Sequence, residues 1–282
     1  ESIFNGSETI RKQIPNEASE FNKVNTKWRE VMEYLRRDTT TAMRGAQETD
    51  ILKKLHEMNE KLEEIQKVLE KYLEKKRMAF PRFYFLSNDD LLEIIGKQKD
   101  PKCVLPHLKK MFAAIDKLKF DTVQNADGKN QIVATQMTSP EGEEVKFETQ
   151  VPIKDDVEKW LEAIEKEMRH TVNNQLNRCR IEVMKANLPQ KMSILNDQFP
   201  GQCFIAASQN KWTADCEKAL DLAHKSTARI TAQSHPLTQL IANQILYLGE
   251  LTSLVRGEMP SLLRKKVKAL LIIEDHARDV IQ

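Results

Sequence analysis

Seven apolar residues, Ile51, Leu55, Met58, Leu62, Ile65, Leu69 and Tyr72, follow one another at gaps of four and three without a lapse. That period places them on one stripe of an α-helix and rules out a strand, whose faces alternate every second residue. Glu57 with Lys61, and Glu63 with Lys67, stand four apart in the favourable acid-then-base order. About three heptads are enough to raise a coiled coil. The other reading is a long helix laid along other helices of one bundle. It is preferred, because the chain runs on into apolar sequence rather than into further heptads.

The helix cannot pass Pro81, which lacks a backbone donor and disfavours helical geometry at Phe80. An end near Met78 is predicted. Phe80, Pro81, Arg82, Phe83, Tyr84 and Phe85 then form an aromatic corner in an otherwise charged region. Ser87 and Asp90 have capping-box spacing, and Leu91, Leu92, Ile94 and Ile95 supply the next buried face. A short extended corner between two helices is expected, with rings alternating to both sides. Two roles are open for it: a joint sealed by its own rings, which composition favours, or a contact for a partner surface with Arg82 as the polar handle.

Other helices follow the same logic. Phe21, Val24, Trp28, Val31 and Leu35 form one stripe over 16–36. DTTTAMRG then interrupts with threonines and Gly45. Asp100-Pro101 reads as a helix start, and Leu108, Met111, Phe112, Ile115 and Leu118 as its continuing face. NADGKN is a turn cluster, and Gln131–Gln136 and Val145–Val151 read as two strands around SPEGEE, a hairpin inserted in a helical protein. Helix resumes at Asp155 or Asp156, with Val157, Trp160, Leu161, Ile164, Met168 and Val172 on one side and an end near Asn187, before Pro189. Helices are expected again over 200–230, 236–256 and 260–281. The last carries Leu263, Val267, Leu270, Ile273, Ala277 and Val280, still in phase where the sequence stops, so a longer protein is expected.

Composition fits that architecture and narrows the chemistry. Charged residues make up 30% and glycines number only eight, which favours long helices with wide solvated faces. A net charge of +2, from 44 basic and 42 acidic residues, gives no electrostatic reason to expect nucleic acid or an anionic membrane as partner. Cys103, Cys179, Cys203 and Cys216 form no CxxC and read as free thiols of a reducing compartment. The opening ESIFNGSET lacks the basic start and apolar run of a signal peptide, and no stretch approaches the ~20 apolar residues of a membrane span. Asn5-Gly6-Ser7 matches a glycosylation sequon, taken as chance in a chain read as intracellular.

No catalytic, cofactor or metal constellation is found. GxxxxGK[ST] and GxSxG are missing, and HExxH, begun by His56-Glu57, fails because Glu60 stands where the second zinc histidine would be. The six histidines are scattered, Asp89-Asp90 and Asp155-Asp156 sit where helix starts want acids, and Arg264-Lys265-Lys266 reads as a solvated helix face.

KKRMAFPRFYFLSNDDLLEIIG, Lys75 to Gly96, closely resembles the hallmark segment of the dynein heavy chain linker. IFNGSETIRKQIPNEASEFNKVNTKWREVM looks like the family's upstream linker sequence, SPEGEEVKF like its hairpin and VEKWLEAIEKEMRHTV like the helix after it. FPGQCFIAASQNKWTADCEKAL and ELTSLVRGEMPSLLRKKVKALLIIEDHARDVI are similar to the pieces that lead to the first ATPase module. FLSNDDLLEI and the closing segment look axonemal, the preferred side, although LLEIIG and SPEGEEV are also close to cytoplasmic forms.

The resemblance implies a mainly α fold, an elongated bundle or arch of long helices with a small inserted β-hairpin. Residues 1–96 would end in the aromatic corner, 97–155 carry the hairpin, and 156–282 lead to the ring. It implies a passive lever coupling ATP-driven change in an AAA+ ring to movement of the tail along microtubules. ATP would be bound by the adjacent ring and no cofactor by this stretch. The partners implied are the ring and tail of the same heavy chain, with microtubules engaged only indirectly, no nucleic acid and no membrane, in the cytoskeleton of a cilium or flagellum. Yielding points are expected at 38–46 and after Gly96. The competing reading is a non-motor helical or coiled-coil adaptor, which would dimerise through 51–72. The corner and the hairpin speak against it, since neither belongs in a simple helical repeat.

Overall fold

A computed structural model describes residues 8–36, 49–98, 100–124, 128–154, 156–186, 191, 193–195, 199–225 and 235–281. The Asn5 sequon, the threonine-rich break at 38–46, Asp155 and the helix end expected at Asn187 lie outside them. The helices are α1 (Glu8–Gln13), α2 (Pro15–Arg36), α3 (Thr49–Ala79), α4 (Asn88–Gly96), α5 (Leu108–Met111), α6 (Val157–Lys185), α7 (Gly201–Lys225), α8 (Pro236–Arg256) and α9 (Ser261–Ile281). Two 3₁₀ turns occupy Pro81–Phe85 and Pro101–His107, and three strands, β1 (Lys117–Gln124), β2 (Asn130–Thr138) and β3 (Glu144–Pro152), form one sheet in the order β1-β2-β3. The fold is mainly α with a small inserted sheet, as the sequence predicts. The chain divides into two compact units, Glu1–Ala134 with Val151–Ile164, and Thr135–Gln150 with Glu165–Gln282.

In the first unit α2 lies beside α3. Ile51, Met58 and Ile65, seven residues apart, are buried together with Val24 of α2. Leu62, Leu52 and Trp28 remain exposed and line an open apolar groove of about 650 Å³. Of the seven stripe residues, Ile51, Met58 and Ile65 are buried, Leu55, Leu69 and Tyr72 are half-buried, and Leu62 is exposed. At the other end of α3, Lys76 Nζ donates to Glu158 Oε1 at 2.5 Å, both side chains being nearly buried, which ties α3 to the first turn of α6. That turn starts where expected: the Asp156 carbonyl accepts from Lys159 N–H at 3.0 Å, and Val157, Trp160, Leu161 and Ile164 are buried.

The structure departs from expectation after Pro101. Asp100 Oδ1 accepts from Lys102 N–H at 3.0 Å and Pro101 takes the first position, as predicted, but the element is 3₁₀. Pro106 has no N–H to give, so α geometry waits until Leu108 and stops at Met111, where Phe112 turns extended. The helical face expected through Leu118 therefore ends at Met111 and passes into a strand: Leu118 is buried on β1, and Phe120 meets Trp160 edge-on at 6.3 Å. This added strand gives the expected two-stranded hairpin a third member, which suits the marginal stability of an isolated ribbon.

In the second unit α7, α8 and α9 pack together. Cys179, Val183, Leu195, Phe204, Leu251, Val267 and Leu270 form its core. Along α9 the buried stripe runs Val267, Leu270, Glu274, Ala277, so Glu274 holds the place expected of Ile273. Gln244 Nε2 donates to the Glu274 carbonyl at 3.1 Å, and burial pushes the Glu274 carboxyl above its ordinary range. The Arg264-Lys265-Lys266 run is not a solvated face. Arg264 donates to the carbonyls of Val255 and Gly257, and Lys266 points into the core side. Only Lys265 is exposed.

Candidate mechanical joint

The aromatic corner is built by a change of helical period. Phe80 N–H still bonds back to Lys76 O at 3.1 Å, so α3 runs up to the ring that ends it. Phe80 itself is extended, and Pro81 starts a 3₁₀ turn at the one position where a missing N–H costs nothing. Phe83 N–H then bonds to Phe80 O at 3.0 Å and Leu86 N–H to Phe83 O at 3.1 Å. In a 3₁₀ turn every third side chain eclipses. Phe80, Phe83 and Leu86 accordingly share the inner side, with Phe83 0% exposed. The two phenyl rings meet edge-on at 5.0 Å.

The corner is therefore neither extended nor alternating. Period three replaces period two, and Tyr84 (53% exposed) and Phe85 (68% exposed) both face outward. Tyr84 Oη donates to Glu74 Oε1 at 2.5 Å, and that bond holds the phenol above its ordinary pKa.

Charged side chains fasten the turn to its surroundings through main-chain carbonyls. Arg82 Nη1 donates to Met111 O at 2.8 Å while its guanidinium lies 4.4 Å from the Phe112 ring centroid. Arg77 Nη2 reaches Leu86 O at 3.3 Å and Asn88 Oδ1 at 2.8 Å. The capping box at the start of α4 is closed in both directions, Asp90 N–H to Ser87 Oγ at 3.1 Å and Ser87 N–H to Asp90 Oδ2 at 3.3 Å. Lys110 Nζ donates to the same Asp90 oxygen at 2.7 Å and, with Ser87, holds the Asp90 carboxyl down to about 2. One turn is thus fixed to α3, α4 and α5, which joins all six candidate residues in one place and leaves Tyr84 and Phe85 as its outward rings, beside the exposed Pro81. Asp90 closes the cap of α4, and Asp89 stands beside it in the first helical turn.

The partners of Arg82 and Asp90 were out of reach of sequence reasoning. Met111, Phe112 and Lys110 lie some twenty to thirty positions away, and no local spacing announces them. The hairpin, the other candidate contact, is served by its own chain on one side. Thr171 Oγ1 accepts from Glu148 N–H at 3.2 Å and Glu167 Oε1 from Thr149 N–H at 2.9 Å, so α6 side chains satisfy β3 backbone donors.

The cysteines are free, and burial pushes Cys103, Cys179 and Cys203 up to about 11, 12 and 11, which disfavours their thiolates. Among the described residues, no helix is long and apolar enough to cross a membrane.

With this geometry in view, the class of protein is settled by comparison. Residues 1–179 match the family described as Dynein heavy chain, N-terminal region 2, and the chain belongs to that family. It is 41% identical over 282 residues to Dynein axonemal heavy chain 2 of Homo sapiens. It is 42% identical over 282 residues to the Dynein-1-beta heavy chain, flagellar inner arm I1 complex, of Chlamydomonas reinhardtii. It is 37% identical over 288 aligned positions to Dynein axonemal heavy chain 3 of Mus musculus. Each alignment takes in all of this chain and about 6% of the relative's length. The axonemal side of the sequence resemblance is the one these relatives share, and the adaptor reading is not favoured.

Proposed function

We propose that the chain is the lever segment, or linker, of an axonemal dynein heavy chain, lying just before the first AAA+ module. In this reading the ring binds and hydrolyses ATP, this stretch does neither, and the lever carries the ring's change of state to the tail and so along microtubules. Its partners are the ring and tail of the same heavy chain, with microtubules reached only through the rest of the motor and neither nucleic acid nor membrane involved. Its place is the axoneme of a cilium or flagellum.

The observation that carries this reading is the joint. A lever transmits force only if its corners do not yield, and the Pro81–Phe85 turn is closed by buried rings and pinned to three helices. Tyr84 and Phe85 offer an outward aromatic surface for the ring, with the hairpin as the second candidate contact.

The test is Phe83→Ala in a complete heavy chain. Gliding of microtubules over immobilised motors should slow while ATP turnover by the ring persists, the signature of a softened coupling. Unchanged gliding in a variant whose melting temperature has fallen would reject the lever role of the joint.

A further inference from the structure

Three sequence stretches without a role in the joint meet at one atom. SPEGEE makes the β2–β3 turn, FPGQC starts α7, and RKK lies on α9. The turn is built to be rigid. Ser139 N–H bonds to Glu143 O at 2.9 Å, Gly142 N–H to Ser139 O at 3.0 Å and Glu143 N–H to Ser139 Oγ at 3.2 Å. Pro140 fixes its own φ, and Gly142 takes φ 87°, the left-handed conformation that closes a bulged hairpin turn.

Those bonds fix the backbone of Glu143, and its carboxylate leaves the turn towards α7 and α9. Its Oε1 accepts from Gly201 N–H at 3.0 Å, an otherwise orphaned donor at the positive end of α7, and from Lys266 Nζ at 2.6 Å. The ammonium has three N–H donors, and two further acceptors surround it, Leu195 O at 3.3 Å and Phe199 O at 3.5 Å. The Lys266 side chain is 10% exposed and that of Glu143 21%. Gly201 makes room, because a Cβ there would stand 3.2 Å from Lys266 Cγ.

We propose that Glu143 and Lys266 are positioning residues. Together with Gly201 they form a polar hub that fixes the hairpin turn to α7, to the carbonyls of Leu195 and Phe199 and to α9, so that the turn moves only as α9 moves. The proposal rests on the lever reading for its use, but the hub itself is read locally.

The experiment is amide hydrogen exchange on a complete heavy chain, followed in peptides covering 137–145 and 199–204, for Lys266→Met, Glu143→Gln and the double variant. Lys266→Met leaves a carboxylate without its cation, and exchange in both peptides should rise about tenfold while distant peptides stay unchanged. The double variant should exchange more slowly than Lys266→Met alone. No buried charge is then stranded, and the new amide oxygen still accepts from Gly201 N–H. Unmoved exchange in 137–145, or a double variant no better than Lys266→Met, overturns the hub. Should Lys266→Met unfold the whole chain, Glu143→Gln decides by the same peptides: a rise confined to them supports the hub and no rise overturns it. Gliding speed is read separately. Faster exchange with unaltered gliding would reject the lever reading and leave the hub standing; slowed gliding supports both.

Discussion

At Pro81–Phe85 the chain turns around two phenyl rings, whereas at Ser139–Glu143 it turns around a carboxylate and an ammonium. Both turns are held against helices, but the free energy comes from different sources. The ring turn is stabilised by removing apolar surface from water, an effect that responds little to pH and tolerates no loss of volume. The ion-pair turn depends on its partners as a set. Two charges drawn from water are compensated by each other and by the carbonyls around them, so removing one costs more than removing both. One corner should therefore fail by cavity and the other by stranded charge.

The largest effect expected is at Phe83. Truncation to alanine empties a fully buried site and should cost about 3–5 kcal/mol, read as a lowered midpoint in thermal or urea unfolding. A variant melting with the parent would show that the rings are ornament and that Arg82, Arg77 and Asp90 hold the turn alone.

Next comes Lys266→Met, for which we expect about 2 kcal/mol, less than a fully buried pair would show because Glu143 keeps some contact with water. The comparison sharpens if adding Glu143→Gln returns part of that loss, since truncating a neighbour of Phe83 would only enlarge its cavity. If the pair of substitutions is simply additive, the two turns differ in residues and not in physics.

Acid should separate the regions further. Asp90 is held at about 2 against an ordinary 3.8, chiefly by Lys110 and Ser87. The unfolded chain therefore takes up this proton before the folded one does. The Asp90 contribution is complete above 3.8 and is lost as pH falls from there towards 2, so the acid limb of the stability curve should steepen in that window. Lys110→Met removes the first-named cause and should flatten the limb, as a pH series of urea midpoints would show. An unaltered limb would mean that Asp90 acts only as a helix cap.

These pairs also mark how far the sequence could be read. Local signals worked: the four-three stripe predicted α3, Pro81 stopped it, Ser87 and Asp90 capped α4, and Asp156 opened α6. The misreadings arose where one pattern serves two periods. Leu108, Met111, Ile115 and Leu118 suit a helix face, yet Pro106 and the β-rich KLKFDTVQ break that face into a 3₁₀ turn, a short helix and a strand. Phe83-Tyr84-Phe85 suits alternation, yet the 3₁₀ hydrogen bonds impose period three. Long-range partners were illegible: Glu143 lies 123 positions from Lys266, and a lysine on a helix reads as solvated until its carboxylate is seen beside it.

The smallest stability effect is expected at Phe85, and for that reason it discriminates best between the joint as a corner and the joint as a contact. Its ring is 68% exposed on the same turn that buries Phe83 completely. Removing an exposed ring leaves no cavity, so Phe85→Ala should shift stability by no more than about 0.5 kcal/mol. If the outward rings dock on a ring module, the same substitution in a complete heavy chain should slow gliding despite an unchanged melt. Phe83→Ala would then impair motion through loss of stiffness, and Phe85→Ala through loss of contact alone. Parent-like gliding for Phe85→Ala would remove the contact proposal and leave the turn a sealed corner, held from inside by Phe80, Phe83 and Leu86.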